Sequence, residues 1–293
     1  MAVDWQYWRR VLRTARRLAS TLDSPSYSEF SGIFPLHFPP LDIELDATPD
    51  QLAHMLHHIG RRWSQMGEDW PHYSVLSYEQ YLPRNLAGSI DDFWAAGRGE
   101  AGVAMTLLDH LGFAKPQRRI CVEYGCGVGR VTIPLAEQFA ELHAYDISAN
   151  HLVLAQQRAE TVGAGNVRFH HCGNGVLEPL TPCDFFYSRL VFQHNPPPVM
   201  RELVQLALAS LRPGGIAIFE IPVYLTGYRF HIDDYLDNPP KEPMEMHCLP
   251  QREVFSLAAA AGCLLIEVRE DRTIERHREC LGNLFVIGRP AAS

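Results

Sequence analysis

Hydrophobic positions change period several times along this 293-residue chain. Within residues 4–20, Trp5, Trp8, Leu12, Ala15 and Ala19 recur at helical spacing, with Arg9, Arg10, Arg13, Arg16 and Arg17 mostly opposite. The pattern predicts an amphipathic helix docked on the body or on a second subunit, so a homodimer through this region is one arrangement it allows. Contact with an anionic membrane or substrate is the alternative. The Arg9-Arg10 pair is not read as a secretion signal, because no apolar core follows it. Residues 24–49, rich in Pro, Phe and Ser, predict an extended segment lying over the surface. Helical periodicity returns over 51–66, near 78–82 and over 90–111.

From Arg119 the pattern shifts again. An apolar run through Val122 predicts a buried strand, Gly125-Cys126-Gly127-Val128-Gly129 a turn, and residues 131–136 a helix. A strand, a glycine turn and a helix start form a site sized for a phosphate or a nucleoside. Gly125 and Gly127 let the backbone turn sharply and approach a ligand. The helix start adds free N–H groups. The third glycine comes one residue too early for a dinucleotide fingerprint, and no Lys-Ser/Thr follows as in a P-loop. The next predicted strand, residues 142–146, ends in Asp146, 19 residues beyond Gly127. An acid there accepts hydrogen bonds from a ribose diol.

This order of acid, glycine turn and second acid resembles the class I S-adenosylmethionine (SAM)-dependent methyltransferases. The resemblance covers about residues 119–289. It implies an α/β fold, a Rossmann-like three-layer sandwich whose mostly parallel seven-stranded sheet carries an antiparallel edge strand, with an N-terminal helical cap. It implies S-adenosyl-L-methionine as cofactor, held by Glu123, Gly125, Cys126, Gly127, Gly129, Asp146 and Ile147. Asn174, Gly175, Arg189 and Leu190 complete the implied cofactor site. Residues 167–174 read as strand three, ending in Gly173-Asn174 where the family often has Gly-Asp; the Asn174 amide oxygen still accepts. Residues 184–188 read as strand four, 191–196 as a turn into a helix, and 211–215 as the turn into strand five at 216–220. A helix over 252–261, strand six over 264–268 and an edge strand over 284–287 follow. The organisation expected is an amphipathic helix, extended segment and helical cap over 1–112, then a SAM-binding core over 113–293 with an insertion at about 224–250.

Twenty-six basic against 34 acidic residues give a net charge of −8, which repels polyanions and argues against a nucleic-acid partner. No apolar stretch approaches the ~20 residues of a membrane span. Seven cysteines without Cys-x-x-Cys pairs suggest a reducing, cytoplasmic setting and not a disulfide framework. Cys121 and Cys126 read as core packing and ligand lining. The histidines (His54, His57 and His58; His170 and His171; His231 and His247) lack the spacing of a closed zinc site, so no metal is expected.

Aromatic residues crowd the predicted cap: Trp70, Tyr73, Tyr78, Tyr81, Phe93 and Trp94. They either pack the cap on the core or, in the case of Tyr78 and Trp94, line an acceptor pocket. The resemblance also suggests that Tyr73 or Tyr78, and Arg98, reach the methionine end of the cofactor. Tyr228, His231 and His247 belong to the insertion, which lies above the carboxyl ends of the strands as a second pocket wall or as a solvated connector. Asn195-Pro196-Pro197-Pro198 is similar to the Asn-Pro-Pro-aromatic motif of amino-methylating DNA enzymes. It comes several residues after strand four, however, and its last position offers no ring for a flipped base. A helix start with Asn195 as N-cap is the simpler reading. His194 leaves strand four beside the expected place of the methyl group, and an ordinary imidazole titrates near neutrality. It is expected to act as general base, to line the pocket or to fix the turn. The function expected is methyl transfer to an O or N atom of a small-molecule acceptor. A larger acceptor (a peptide or carrier-linked glycan) and a SAM-binding module without transfer activity are the other readings.

Overall fold

A seven-stranded sheet organises the computed structural model, which describes residues 40–173, 175–242, 244–271 and 280–291. The helix expected over 4–20 and most of the extended segment lie outside the described residues. Strands β2 (Ile120–Tyr124), β3 (Glu141–Asp146), β4 (Val167–His171), β5 (Cys183–Ser188) and β6 (Leu211–Leu225) run parallel. With β8 (Leu264–Glu270) and β9 (Cys280–Gly288) the order across the sheet is β4-β3-β2-β5-β6-β9-β8. The chain leaves β2 toward β3 on one side and returns to β5 on the other. That reversal opens a crevice at the carboxyl ends of β2 and β5, where open α/β sheets take their ligands.

Neighbouring residues on each strand face opposite layers, as the two-residue period of a strand requires. Val122, Phe186 and Phe285 enter one core, with Met55, Leu56 and Ile59 of α1 (Pro49–Asp69). Cys121, Phe185 and Val286 enter the other, with Leu107 and Leu108 of α3 (Ile90–His110) and Leu135 of α4 (Thr132–Ala136). Each large buried side chain contributes about 1.5–3 kcal/mol over leaving it in water. Both faces of the central strands are thus covered, which explains the runs of apolar residues in β2, β5 and β6. On the flanks lie α5 (Ala149–Val162), α6 (Pro197–Ser210) and α8 (Gln251–Ala260).

Local sequence sets the cap helices. The Thr48 hydroxyl accepts from the Gln51 amide and the Gln51 side chain accepts from the Thr48 amide, with Pro49 in the first turn. This reciprocal capping starts α1 two residues ahead of the expected position. Pro71 then begins α2 (Pro71–Val75). The helix expected near 78–82 is a single 3₁₀ turn, Glu79–Tyr81.

Several expectations change in detail. The sheet does end in an antiparallel pair, but the reversed strand β9 lies between β6 and β8, and β8 forms the rim. Residues 211–215 are part of the long β6 and pair through Leu211 with Cys183. The helix after the glycine turn is only five residues long. Asn195 is not the N-cap of α6: Pro196 holds that place, and the Asn195 amide donates to Val191 O at 3.0 Å. Beyond β6, the insertion contains β7 (Arg229–Phe230), which pairs in parallel with β1 (Asp42–Ile43), and α7 (Ile232–Asp237). Among the described residues, no helix is long and apolar enough to cross a membrane.

Candidate functional site

The crevice at the β2/β5 reversal is a cleft of about 850 Å³, counting the space open to solvent. Its floor is the glycine turn. The amides of Gly125 and Cys126 donate to Tyr145 O at 2.8 and 3.0 Å, which ties the turn to the end of β3. Gly125 and Gly127 have φ of 78° and 54°, a region unfavourable to residues with a Cβ. A Cβ on Gly125 would meet Val191 at 2.2 Å, and one on Gly127 would meet Val75 of α2 at 2.5 Å.

Asp146 stands at the tip of β3, buried against this floor. Its Oδ2 accepts from the Gly127 amide at 2.7 Å and its Oδ1 from the Ser148 amide at 2.8 Å. The Gly127 N–H is therefore engaged within the turn. Oδ2, which accepts only this one amide, retains a lone pair for a ligand donor. Behind it, His151 Nδ1 lies 3.4 Å from Oδ1, and His151 Nε2 lies 2.9 Å from the Ser74 hydroxyl of α2.

Charged groups gather at the other end of the cleft. Glu100 of α3 accepts from Arg130 at 2.7 Å and from the Tyr187 hydroxyl at 2.8 Å. Arg189 spans Asp271 at 2.9 Å, Glu100 at 3.4 Å and Glu220 at 3.5 Å. Glu123, on β2, lies within the cleft wall beside Thr132, with its Oε2 buried and without a hydrogen bond among the described residues. Burial pushes the carboxyls of Glu123 and Glu220 up to about 8, so both hold protons at neutral pH. Next to Arg189, Leu190 takes a φ of 58°, a strained conformation for a branched side chain.

His194 lines the remaining wall, its ring 5.0 Å from that of Trp63 of α1. Its Nδ1 donates to Glu245 O at 2.7 Å, which leaves Nε2 as the unprotonated nitrogen. Burial lowers its pKa to about 4, well below the ordinary value expected from sequence. The imidazole is neutral at physiological pH and a weaker base than a free histidine.

Of the expected cofactor residues, Glu123, Gly125, Cys126, Gly127, Asp146, Ile147, Arg189 and Leu190 line this one cleft. Gly129 and Gly175 do not line it: Gly129 packs on Ala155 and Gly175 on His57. Asn174 lies outside the described residues. None of the five expected acceptor residues lines it either. Tyr78 is half-exposed on the outer face of the cap, and Trp94 packs against Phe93 under the Arg158 guanidinium. Tyr228, His231 and His247 line a separate groove on the insertion. There, His231 pairs with Asp42 at 3.1 Å, and Tyr228 donates to His247 Nδ1 at 2.6 Å. Tyr73 is likewise outside the cleft, and Arg98 is exposed to solvent. Sequence reasoning missed Trp63, Ser74, Glu100 and Arg130, which all line the cleft. Among the described residues, no group of three or more His, Cys, Asp or Glu could hold a metal ion.

Residues 121–215 match a family model described as a methyltransferase domain. A tRNA 5-carboxymethoxyuridine methyltransferase of Escherichia coli (strain K12) is 33% identical over 104 residues, 34% of this chain and 39% of that protein. The chain thus matches about two fifths of that relative's length. Among solved structures, magnesium protoporphyrin IX methyltransferase from Synechocystis PCC 6803 with bound SAM superposes with a TM-score of 0.48. It is 18% identical and covers 66% of this chain and 80% of its own. A phosphoethanolamine N-methyltransferase of Haemonchus contortus superposes at 0.45, with 16% identity over 59% of this chain and 49% of its own. The matched segment spans the glycine turn, both acids and the strand-order reversal that gathers them, so residues 121–215 carry the methyltransferase domain that the family model describes.

Proposed function

We propose that this chain transfers a methyl group from SAM to an O or N atom of a small molecule, and that the cleft at the β2/β5 reversal is the site. The observation that carries this reading is the pair Asp146 and Glu123 on either side of one glycine turn. Asp146 is a fixed carboxylate with a lone pair to spare, suited to a ribose diol. Glu123 supplies a buried oxygen that has no hydrogen bond among the described residues, suited to the ammonium at the methionine end. Glycines keep the floor between them clear of side chains.

A sulfonium methyl is itself a strong electrophile, so the cofactor supplies the reactive carbon. The protein's work is alignment, with the acceptor atom in line and about 3–3.5 Å away. Trp63 and His194 form the wall nearest the acceptor side, and the Nε2 of His194 receives a hydrogen bond from an acceptor hydroxyl or amine. The acidic balance of the chain favours a small molecule over a polyanion. The name of the Escherichia coli relative favours a second reading, an RNA acceptor. Calorimetry with SAM, followed by S-adenosylhomocysteine release in the presence of hydroxyl, amine and RNA acceptors, tests both. No SAM binding overturns the proposal, and turnover confined to RNA replaces the acceptor.

A further inference from the structure

We propose that Glu245 is a positioning residue for the acceptor side of the cleft: clamped between cap and insertion, it holds its own carbonyl against the Nδ1–H of His194 and fixes which imidazole nitrogen stays unprotonated. The inference rests on reading the cleft as a methyl-transfer site.

Glu245 is buried, outside the cleft, and its carboxylate collects donors from separate elements. His58 Nε2 of α1 reaches Oε1 at 2.8 Å. The Tyr235 hydroxyl of α7 and His247 Nε2 each reach Oε2 at 2.9 Å. A carboxylate only accepts, so all three partners donate. His247 then carries its proton on Nε2 and takes the Tyr228 hydroxyl hydrogen at Nδ1. Burial opposes charge on Glu245, but the hydrogen bonds from His247, Tyr235 and His58 outweigh it and lower the pKa.

The main chain transmits this clamp. The His247 amide donates to Gln193 O at 2.7 Å, and Glu245 O receives His194 Nδ1–H at the same distance. Residues 245–247 are thereby stitched to the 3₁₀ turn Phe192–His194. Helix α1 touches the imidazole twice, directly through Trp63 and indirectly through His58 and Glu245. Only a charged carboxylate satisfies three donors at once. Glutamine offers one oxygen and an NH₂ group, so either a histidine partner such as His58 changes its tautomer or one of the three donors faces another donor.

The test uses the full-length protein labelled with ¹⁵N, in which long-range proton–nitrogen spectra read each histidine tautomer. The His194 signals are assigned by their loss in His194→Gln. Wild type is expected to hold His194 in the Nδ1–H form alone. Glu245→Gln and, separately, His58→Phe are expected to give a mixture of the two tautomers. In both variants SAM affinity, measured by calorimetry, is expected to stay within about threefold of wild type. His58→Phe keeps the test open if Glu245→Gln does not fold. An Nε2–H tautomer in wild type, or an unchanged tautomer in the folded variants, overturns the proposal. Failure of wild type to bind SAM overturns instead the reading of the cleft.

Discussion

Asp146 Oδ2 lies 2.7 Å from the Gly127 amide nitrogen, so the acid read as a ribose ligand also fastens the turn beneath the ligand. Its two roles separate by substitution. Asp146→Asn keeps an acceptor for one amide but loses the charge, whereas Asp146→Ala removes both. Asp146→Ala is expected to weaken SAM binding by about 1.5–3 kcal/mol, the worth of charged hydrogen bonds. It should also lower the melting temperature of the free protein, because two turn amides lose their partner. Calorimetry and thermal denaturation on both variants check this, and unchanged affinity in Asp146→Ala removes the residue from the site.

Val75 of α2 sits where a Cβ on Gly127 would fall. Gly127→Ala therefore combines a steric clash with strain at positive φ, which costs about 1–3 kcal/mol by itself. Adding Val75→Ala relieves the clash and leaves the strain. The double variant is expected to recover part, not all, of the lost stability and SAM affinity. Strict additivity of the two substitutions, read from denaturation midpoints, contradicts this packing.

Much of this floor is legible in the sequence because positive φ and close approach demand glycine, and Gly125 and Gly127 satisfy both. The two acids are legible for a similar reason, since Glu123 lies next to the end of β2 and Asp146 ends β3, each at a fixed distance from the turn. Glu100 is not. It reaches Arg130 and Tyr187 across 30 and 87 residues of chain, and nothing in the local pattern of α3 sets it apart from exposed Arg98. Aromatic content misleads in the cap for the same cause: periodicity assigns Trp94 to a helix without saying that it packs on Phe93 beneath Arg158. Strand order is also silent in the residues. Any strand with the pattern of 284–287 could lie at the rim or one place in, and β9 lies one place in because β8 pairs outside it.

Stability should depend on pH in two opposing ways. Glu123 and Glu220 have pKa values raised by burial from the ordinary 4.5 to about 8. Their contribution is full below the unfolded value and is lost as pH rises through about 8. His194 has a pKa lowered from 6.5 to about 4, so its contribution is present above 6.5 and lost as pH falls through about 4. Of these three groups, only the two carboxyls still change their contribution above 6.5. The melting temperature of the free protein is expected to fall by several degrees from there to about pH 8, at roughly 2–4 °C per kcal/mol. Glu123→Gln should remove part of that slope. SAM should flatten it, because a cation beside Glu123 favours the ionised carboxylate. A slope that survives both unchanged assigns the alkaline loss elsewhere.

In the proposed reading, His194 is the residue that serves the acceptor side of the cleft. Its ring lines the cleft, its Nδ1 proton is held by Glu245 O, and its Nε2 is bare. A pKa lowered to about 4 weakens it as a base in the free protein. Proton removal nevertheless becomes easier as an aligned hydroxyl or neutral amine bonds the methyl carbon and the carbon–sulfur bond breaks, because positive charge then builds on the acceptor atom. A positioned base contributes typically ~10²–10⁴-fold. His194→Ala is expected to lower kcat by at least the smaller figure for whichever acceptor supports turnover, while SAM affinity changes little. His194→Gln keeps a hydrogen-bond acceptor near the same place but takes no proton, and should remain as slow as His194→Ala for a hydroxyl acceptor. For an amine that arrives neutral, the two variants should instead diverge, with glutamine closer to wild type. Retention of more than about a tenth of wild-type kcat in His194→Ala, against that ~10² minimum, reduces the histidine to a wall of the pocket.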